Sequence, residues 1–300
     1  MNTAVEICGV SFKNPVMDAS GTFGSGQEYG AFVDLNRLGA VVTKGVANVP
    51  WQGNPTPRVC ETPSGMMNAI GLQNPGVEVF LERDLPYLRQ FDTNVIVNVC
   101  GHSLEEYLDV VDRLAGEKDI SFLEINVSCP NVKEGGIAFG TDPGKLEDIT
   151  RNIKAHAGQP IIVKLSPNVT SISDMARAAE AGGADAISLI NTLTAMKIDI
   201  YKRRFALANR TGGLSGPAIR PVAVRMVYEA SHAVNIPVIG MGGIANGEDA
   251  VEFLMAGASA VAVGMYNFHE PTAMLQVIEG IEEFMRKTGT EDVKELIGAV

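Results

Sequence analysis

A chain of 300 residues, 46% hydrophobic and 20% charged, has the balance of a folded globular protein and enough length to bury a large core. Its formal net charge of -11 removes any general electrostatic basis for binding nucleic acid or an anionic membrane surface; an anionic ligand must be held by local lysines and backbone N–H groups. No apolar run approaches the roughly 20 residues of a membrane span, and the start of the chain, with Glu6 and no apolar core, does not read as a signal peptide, so a cytoplasmic protein with reduced thiols is expected.

Residues 4–14 read as a small hairpin, suited to plugging the floor of a barrel. Eight short apolar runs follow, at 16–20, 40–45, 94–100, 122–128, 161–166, 186–192, 237–242 and 260–265. They are nearly continuous in Val, Ile, Leu and Ala, as parallel strands covered on both faces require. Amphipathic stretches alternate with them, among them 103–115, 171–181, 217–234 and 247–256. Ser103 ahead of Glu105 and Glu106, and Asn246 ahead of Glu248 and Asp249, supply helix caps. Eight such units predict an α/β chain folded as a (β/α)8 TIM barrel, one domain over 1–300. A doubly wound open sheet is the competing arrangement. Insertions at 46–74, 129–142 and 193–215 follow the second, fourth and sixth strands, on the face where barrel enzymes keep their chemistry.

Polar residues where buried strands should have none mark the candidate site. Lys44 and Lys164 end apolar runs, and an ammonium buried without a partner costs several kcal/mol. Either an anionic or electron-rich ligand meets them, or internal carboxylates such as Asp18 and Glu124 do. Asn68, Asn98, Asn126 and Asn191 offer donor and acceptor together, which suits a ring of alternating C=O and N–H groups. Each alone is equally a turn or cap residue. Gly242 and Gly243 after the seventh strand, with Gly264 after the eighth, form a phosphate grip that fits FMN or a sugar phosphate alike.

Of the four cysteines, Cys8, Cys60, Cys100 and Cys129, none forms a C-x-x-C pair or stands at zinc-ligand spacing to a histidine. No metal site is expected, nor an iron–sulfur cluster held by this chain alone. Cys8 and Cys100 suit the role of small buried hydrophobes. Cys129 differs, lying just past the fourth strand between Ser128 and Pro130, on a segment suited to close as a lid. Its thiol, near ~8.5 when unperturbed, becomes a usable base in electropositive surroundings.

Six strings carry a resemblance over nearly the whole chain: DASGTFG from Asp18, TKG from Thr43, GNPTPRVCET from Gly53, NAIGLQN from Asn68, NVSCPN from Asn126 and GMGGI from Gly240. Together they resemble the class 1 dihydroorotate dehydrogenases, and within them the NAD-linked (class 1B) catalytic subunit. The resemblance implies oxidation of dihydroorotate to orotate on FMN, in pyrimidine biosynthesis. It implies Cys129 as the base that takes the C5 proton; membrane-associated relatives carry Ser there. It implies an orotate site of Lys44, Asn68, Ala69, Ile70, Gly71, Leu72, Asn126, Asn191 and Thr192. For FMN it implies Ser20, Lys44, Gly45, Asn98, Asn126, Lys164, Ile190, Gly216, Gly242, Gly243, Gly264 and Met265. The implied partners are a homodimer mate and a second subunit carrying FAD and a [2Fe–2S] cluster, two of each chain in a heterotetramer. Glu124, two residues before Asn126 and so on the same strand face, is expected to pair with Lys164 and aim it at the flavin. A fumarate-linked (class 1A) enzyme acting alone and a flavin-free phosphate-binding barrel lyase or isomerase are the rivals.

Overall fold

Cys8 and Gly9, with φ of 51° and 79°, reverse the chain between β1 (Val5–Ile7) and β2 (Val10–Phe12), an antiparallel hairpin. The computed structural model describes residues 1–127 and 139–300. β3 (Val16–Asp18) and β4 (Ala40–Val42) come next, then a second hairpin of β5 (Val59–Thr62) and β6 (Gly65–Asn68). Helices α1 (Val77–Val79) and α2 (Leu85–Leu88), joined by a π-helical stretch at Phe80–Asp84, lead to β7 (Asn94–Val99). The repeat then settles into α3 (Leu104–Leu114), β8 (Phe122–Asn126), α4 (Pro143–His156), β9 (Ile161–Lys164), α5 (Ile172–Ala181) and β10 (Ala186–Leu189). An excursion of β11 (Leu193–Met196), β12 (Ile198–Asp199), β13 (Arg204–Phe205) and β14 (Thr211–Ser215) precedes α6 (Arg220–Ser231). The chain ends with β15 (Val238–Met241), α7 (Gly247–Met255), β16 (Ala260–Val263) and α8 (Ala273–Thr288).

β3, β4, β7, β8, β9, β10, β15 and β16 form a closed parallel barrel, with β16 returning to pair with β3 at Val261 and Val16. This is the expected (β/α)8 barrel, and the closure excludes the open sheet. β3, β4, β8, β9, β10, β15 and β16 are buried along their whole length, which explains their near-continuous apolar composition. The helices cover the outer face through regular stripes. In α3 the buried Tyr107, Val110, Val111 and Leu114 fall at helical spacing. The expected caps form: Ser103 accepts from the Glu106 N–H, and Asn246 from the Asp249 N–H.

Every barrel ladder stops before its apolar run does. The runs at 161–166 and 186–192 give ladders of only Ile161–Lys164 and Ala186–Leu189. Leu165 and Ile190 remain buried beyond those ends, so hydrophobicity alone does not mark where pairing stops. There the chain turns from the barrel wall into the loops of the upper face. Two of those loops pair with each other: β11, β14, β6 and β5 form one antiparallel sheet, with Gly213 opposite Asn68.

The N-terminal hairpin closes the opposite end. The Phe12 ring lies 6.0 Å from that of Phe122, the first residue of β8, and Asn94 at the start of β7 donates to the Ser11 carbonyl at 2.9 Å. One expectation fails here. Cys8 is not a buried hydrophobe but exposed, because it occupies the hairpin turn at the rim and donates its thiol to the Asp185 carbonyl at 3.2 Å. No helix among the described residues is long and apolar enough to cross a membrane. Phe12 is fully buried, and Phe12→Ala should lower stability by about 3–5 kcal/mol, read as a fall in the urea midpoint with little change in slope.

Candidate active site

At the C-terminal ends of the strands lies a cavity of about 1150 Å³, walled on one side by the sheet of paired insertions. Its lining includes Lys164, Asn126, Ile190, Asn191 and Met241, each within or just beyond a barrel ladder. The residues that leave the ladders are thus the ones that build the site.

The floor is a buried polar layer. Lys164 and Glu124 are 4% and 3% exposed, and Lys164 Nζ lies 3.5 Å from Glu124 Oε2. The expected ion pair is present. Both oxygens of Glu124 are also held: Asn98 donates to Oε2 at 2.6 Å, and the Ser188 hydroxyl to Oε1 at 2.8 Å. Asn98 does not line the cavity but lies beneath it, where its Oδ1 is buried without a hydrogen-bond partner among the described residues and would stand 3.3 Å from a Cβ on Gly45. Asp18, also fully buried, accepts the Val42 N–H at 2.7 Å through one oxygen, while the other has no hydrogen-bond partner among the described residues. Burial pushes its pKa well above the usual carboxylate range; Glu124 adds to the rise, and the Val42 hydrogen bond and Lys164 oppose it. Burial thus favours the protonated form of Asp18.

Lys44 behaves differently from Lys164. Its backbone N–H donates to the Gly24 carbonyl at 2.7 Å, and its side chain enters the cavity. Burial lowers the pKa of its ammonium; Cys100 opposes that shift, the charges of Lys164 and Arg58 add to it, and among the described residues no carboxylate offsets them. The internal-partner explanation therefore holds for Lys164 and fails for Lys44. Ser20 stands beside it, donating to the Thr43 carbonyl at 2.7 Å.

The upper end of the cavity is shaped by glycine. Gly216, Gly242, Gly243 and Gly264, with Met265, all line it. Gly216 has φ of 103° and Gly243 of 88°; a Cβ on Gly243 would come 2.8 Å from the Gly216 carbonyl oxygen. Neither position tolerates a side chain, so bare backbone at the start of the α6 segment and after β15 faces the cavity. Together with the Lys44 ammonium, which has no carboxylate partner among the described residues, and the Asn126 amide, this arrangement fits a phosphorylated ring with both donor and acceptor edges.

The side wall is amide-rich. Asn54 holds the segment from Asn68 to Leu72 in place, donating its side-chain amide to the Ala69 carbonyl at 3.0 Å and its backbone N–H to the Ile70 carbonyl at 2.9 Å. Asn68, Ala69, Ile70, Gly71 and Leu72 all line the cavity, as do Asn126, Asn191 and Thr192. Asn191 reaches Asn126 Oδ1 at 3.4 Å and takes the Thr192 N–H at 2.8 Å. Of the expected site residues, the cavity thus gathers all but Asn98 and Cys129. Cys129 lies outside the described residues; Asn126 before that segment and Thr141 after it both line the cavity.

The chain was compared with known proteins. The family model described as dihydroorotate dehydrogenase matches residues 2–285. The chain belongs to the dihydroorotate dehydrogenase family. It is 67% identical over 300 residues, the whole of both chains, to the dihydroorotate dehydrogenase B (NAD(+)), catalytic subunit, of Lachnoclostridium phytofermentans. It is 60% identical to the protein of the same description from Alkaliphilus metalliredigens, covering all of this chain and 99% of that one.

Sequence reasoning passed over several lining or floor residues. Ser188 is a polar residue inside an apolar run, the same signal that exposed Lys164. Asn168 ties two loops together, donating to the Thr192 carbonyl at 3.0 Å and accepting the Thr194 N–H at 2.9 Å. Trp51 and His102 stack at 4.0 Å at the cavity edge, although they belong to different loops. For Asp18 the sign of the pH dependence follows from its raised folded pKa. Between the unfolded and folded values the native state keeps a proton that the unfolded state has released, so its contribution is full in acid and falls as pH rises. Asp18→Asn should therefore stabilise the ligand-free protein near pH 7, and the gain should shrink at about 1.4 kcal/mol per pH unit once the pH enters that interval from above. Urea midpoints of both proteins between pH 4 and 8 check this.

Proposed function

We propose that this chain oxidises (S)-dihydroorotate to orotate in pyrimidine synthesis, as the catalytic subunit of an NAD+-linked, cytoplasmic enzyme, within one FMN-binding barrel domain spanning 1–300. The observation that carries the reading is the single cavity joining a glycine cradle, two lysines and an amide wall. The descriptions of the full-length relatives point the same way. Bound FMN would supply the acceptor for the C6 hydride.

The chain's own residues do the rest. Gly216, Gly242, Gly243 and Gly264 leave backbone open to the FMN phosphate, and Ser20, Gly45, Ile190 and Met265 flank its ring. Lys164, on the floor, would favour negative charge on the bound ring, Asn126 would offer its amide to the ring's polar edge, and Asn98 would act from beneath through Glu124. Lys44 bridges the two ligands, so its charge meets the orotate carboxylate. Asn68 to Leu72, with Asn191 and Thr192, orient the pyrimidine by its alternating donors and acceptors. Cys129, which lies outside the described residues, takes the proton from C5. A second subunit with FAD and a [2Fe–2S] cluster carries electrons to NAD+, in a heterotetramer built on a homodimer of this chain. "Catalytic subunit" in the relatives' description supports a partner of this kind.

The purified protein should be yellow and should bleach when dihydroorotate is added without oxygen; a colourless protein that binds no FMN rejects the proposal. Cys129→Ala should keep FMN and lose about 10²–10⁴-fold in turnover near neutral pH; unchanged turnover removes Cys129 from the role of base. Lys164→Ala should weaken FMN binding or slow flavin reduction by at least about tenfold, measured by titration of the ligand-free protein and by stopped-flow absorbance.

A further inference from the structure

The lysine on the cavity floor does not act as an isolated charge. Lys164 Nζ has the cavity on one side and Glu124 Oε2 at 3.5 Å on the other. Glu124 cannot turn away, because Asn98 and Ser188 fix its two oxygens from neighbouring parts of the barrel, at 2.6 Å and 2.8 Å. It does not touch the cavity, since the lining includes Lys164 but not Glu124. The second interior carboxyl, Asp18, accepts the Val42 N–H at 2.7 Å, and burial disfavours its charged form. The other charge near this layer is Lys44, which repels Lys164 and sits at the mouth. The layer is thus arranged as one carboxylate beneath one ammonium, and the ligand meets the sum of the two.

We propose that Glu124 is a positioning residue that sets the reduction potential of the bound flavin, by holding Lys164 and offsetting part of its charge. The proposal rests on the flavin-binding reading above. Reduction adds negative charge to the flavin ring, and Lys164 favours that charge by an amount that depends on its distance and on any nearby anion. A carboxylate clamped behind the ammonium weakens this preference and keeps the reduced flavin a stronger donor, as a subunit that must pass electrons on requires. Asn98 and Ser188 make the offset constant, because the carboxylate has no second orientation.

Glu124→Gln preserves shape and removes the charge, and the Asn98 and Ser188 contacts have an amide to meet in its place. The test is the flavin midpoint potential of the holoenzyme, measured by spectroelectrochemistry beside the wild type. The reduced form should gain about tenfold in relative affinity, which raises the midpoint of a two-electron couple by about 30 mV. An unchanged or lower potential in a variant that holds flavin overturns the proposal. If Glu124→Gln loses the flavin, Glu124→Asp carries the same test: it keeps the charge but draws it back from Lys164, so the potential should rise by a smaller amount. No rise there is equally fatal. A wild-type protein without flavin refutes the proposed function instead, so the two failures are distinguishable.

Discussion

Lys164 ends the ladder of β9 with its ammonium inside the barrel, and a buried cation without adequate compensation costs several kcal/mol. Glu124 compensates it from below, Asn98 and Ser188 orient Glu124, and burial favours the protonated form of Asp18 in the same interior. Five strands, β3, β7, β8, β9 and β10, therefore contribute polar side chains to one layer. A hydrophobic barrel of equal volume would fold without that network. Its presence directly under a large cavity makes sense as preparation for a ligand that carries or acquires negative charge.

The rest of the site follows from how short the ladders are. A barrel strand of three to six residues buries its own length and then releases the chain. The released residues, Ser20, Lys44, Ile190, Asn191, Gly242 and Gly264, line one opening because the strands are parallel and all end on the same face. The insertions after β4 and β10 then pair with each other, so the amide wall is carried on a sheet rather than on separate loops. The hairpin at the opposite end covers the floor, which leaves the upper face as the route to the polar layer.

Much of this was legible in the sequence because it breaks a local pattern. Lysines, a glutamate and asparagines in apolar runs stand out by contrast, and the Glu124–Lys164 pair followed from strand alternation. Glycines after the seventh and eighth strands carry a similar signal, since positive φ at Gly243 leaves few alternatives. What lay hidden depends on contacts between distant segments. Nothing local to Gly213 or Asn68 announces that they pair, and nothing near Trp51 announces His102. The raised pKa of Asp18 depends on complete burial, which a sequence does not display. Ser188 was legible in principle, as a hydroxyl inside Ala186–Leu189, but a serine in a strand is a weaker anomaly than a lysine. Cys8 misled because a free cysteine is usually a small buried hydrophobe, whereas a turn placed it at the rim.

The account holds that the lysines at the top of the barrel are retained for a ligand and against the stability of the empty protein. Lys44 is the sharper case, because no carboxylate offsets it among the described residues. Replacing it with Met and measuring both the urea midpoint of the ligand-free protein and its affinities for FMN and orotate tests this directly. The account predicts an equal or higher midpoint together with at least about tenfold weaker binding of one or both ligands. A less stable ligand-free protein that binds both as tightly as before would contradict it.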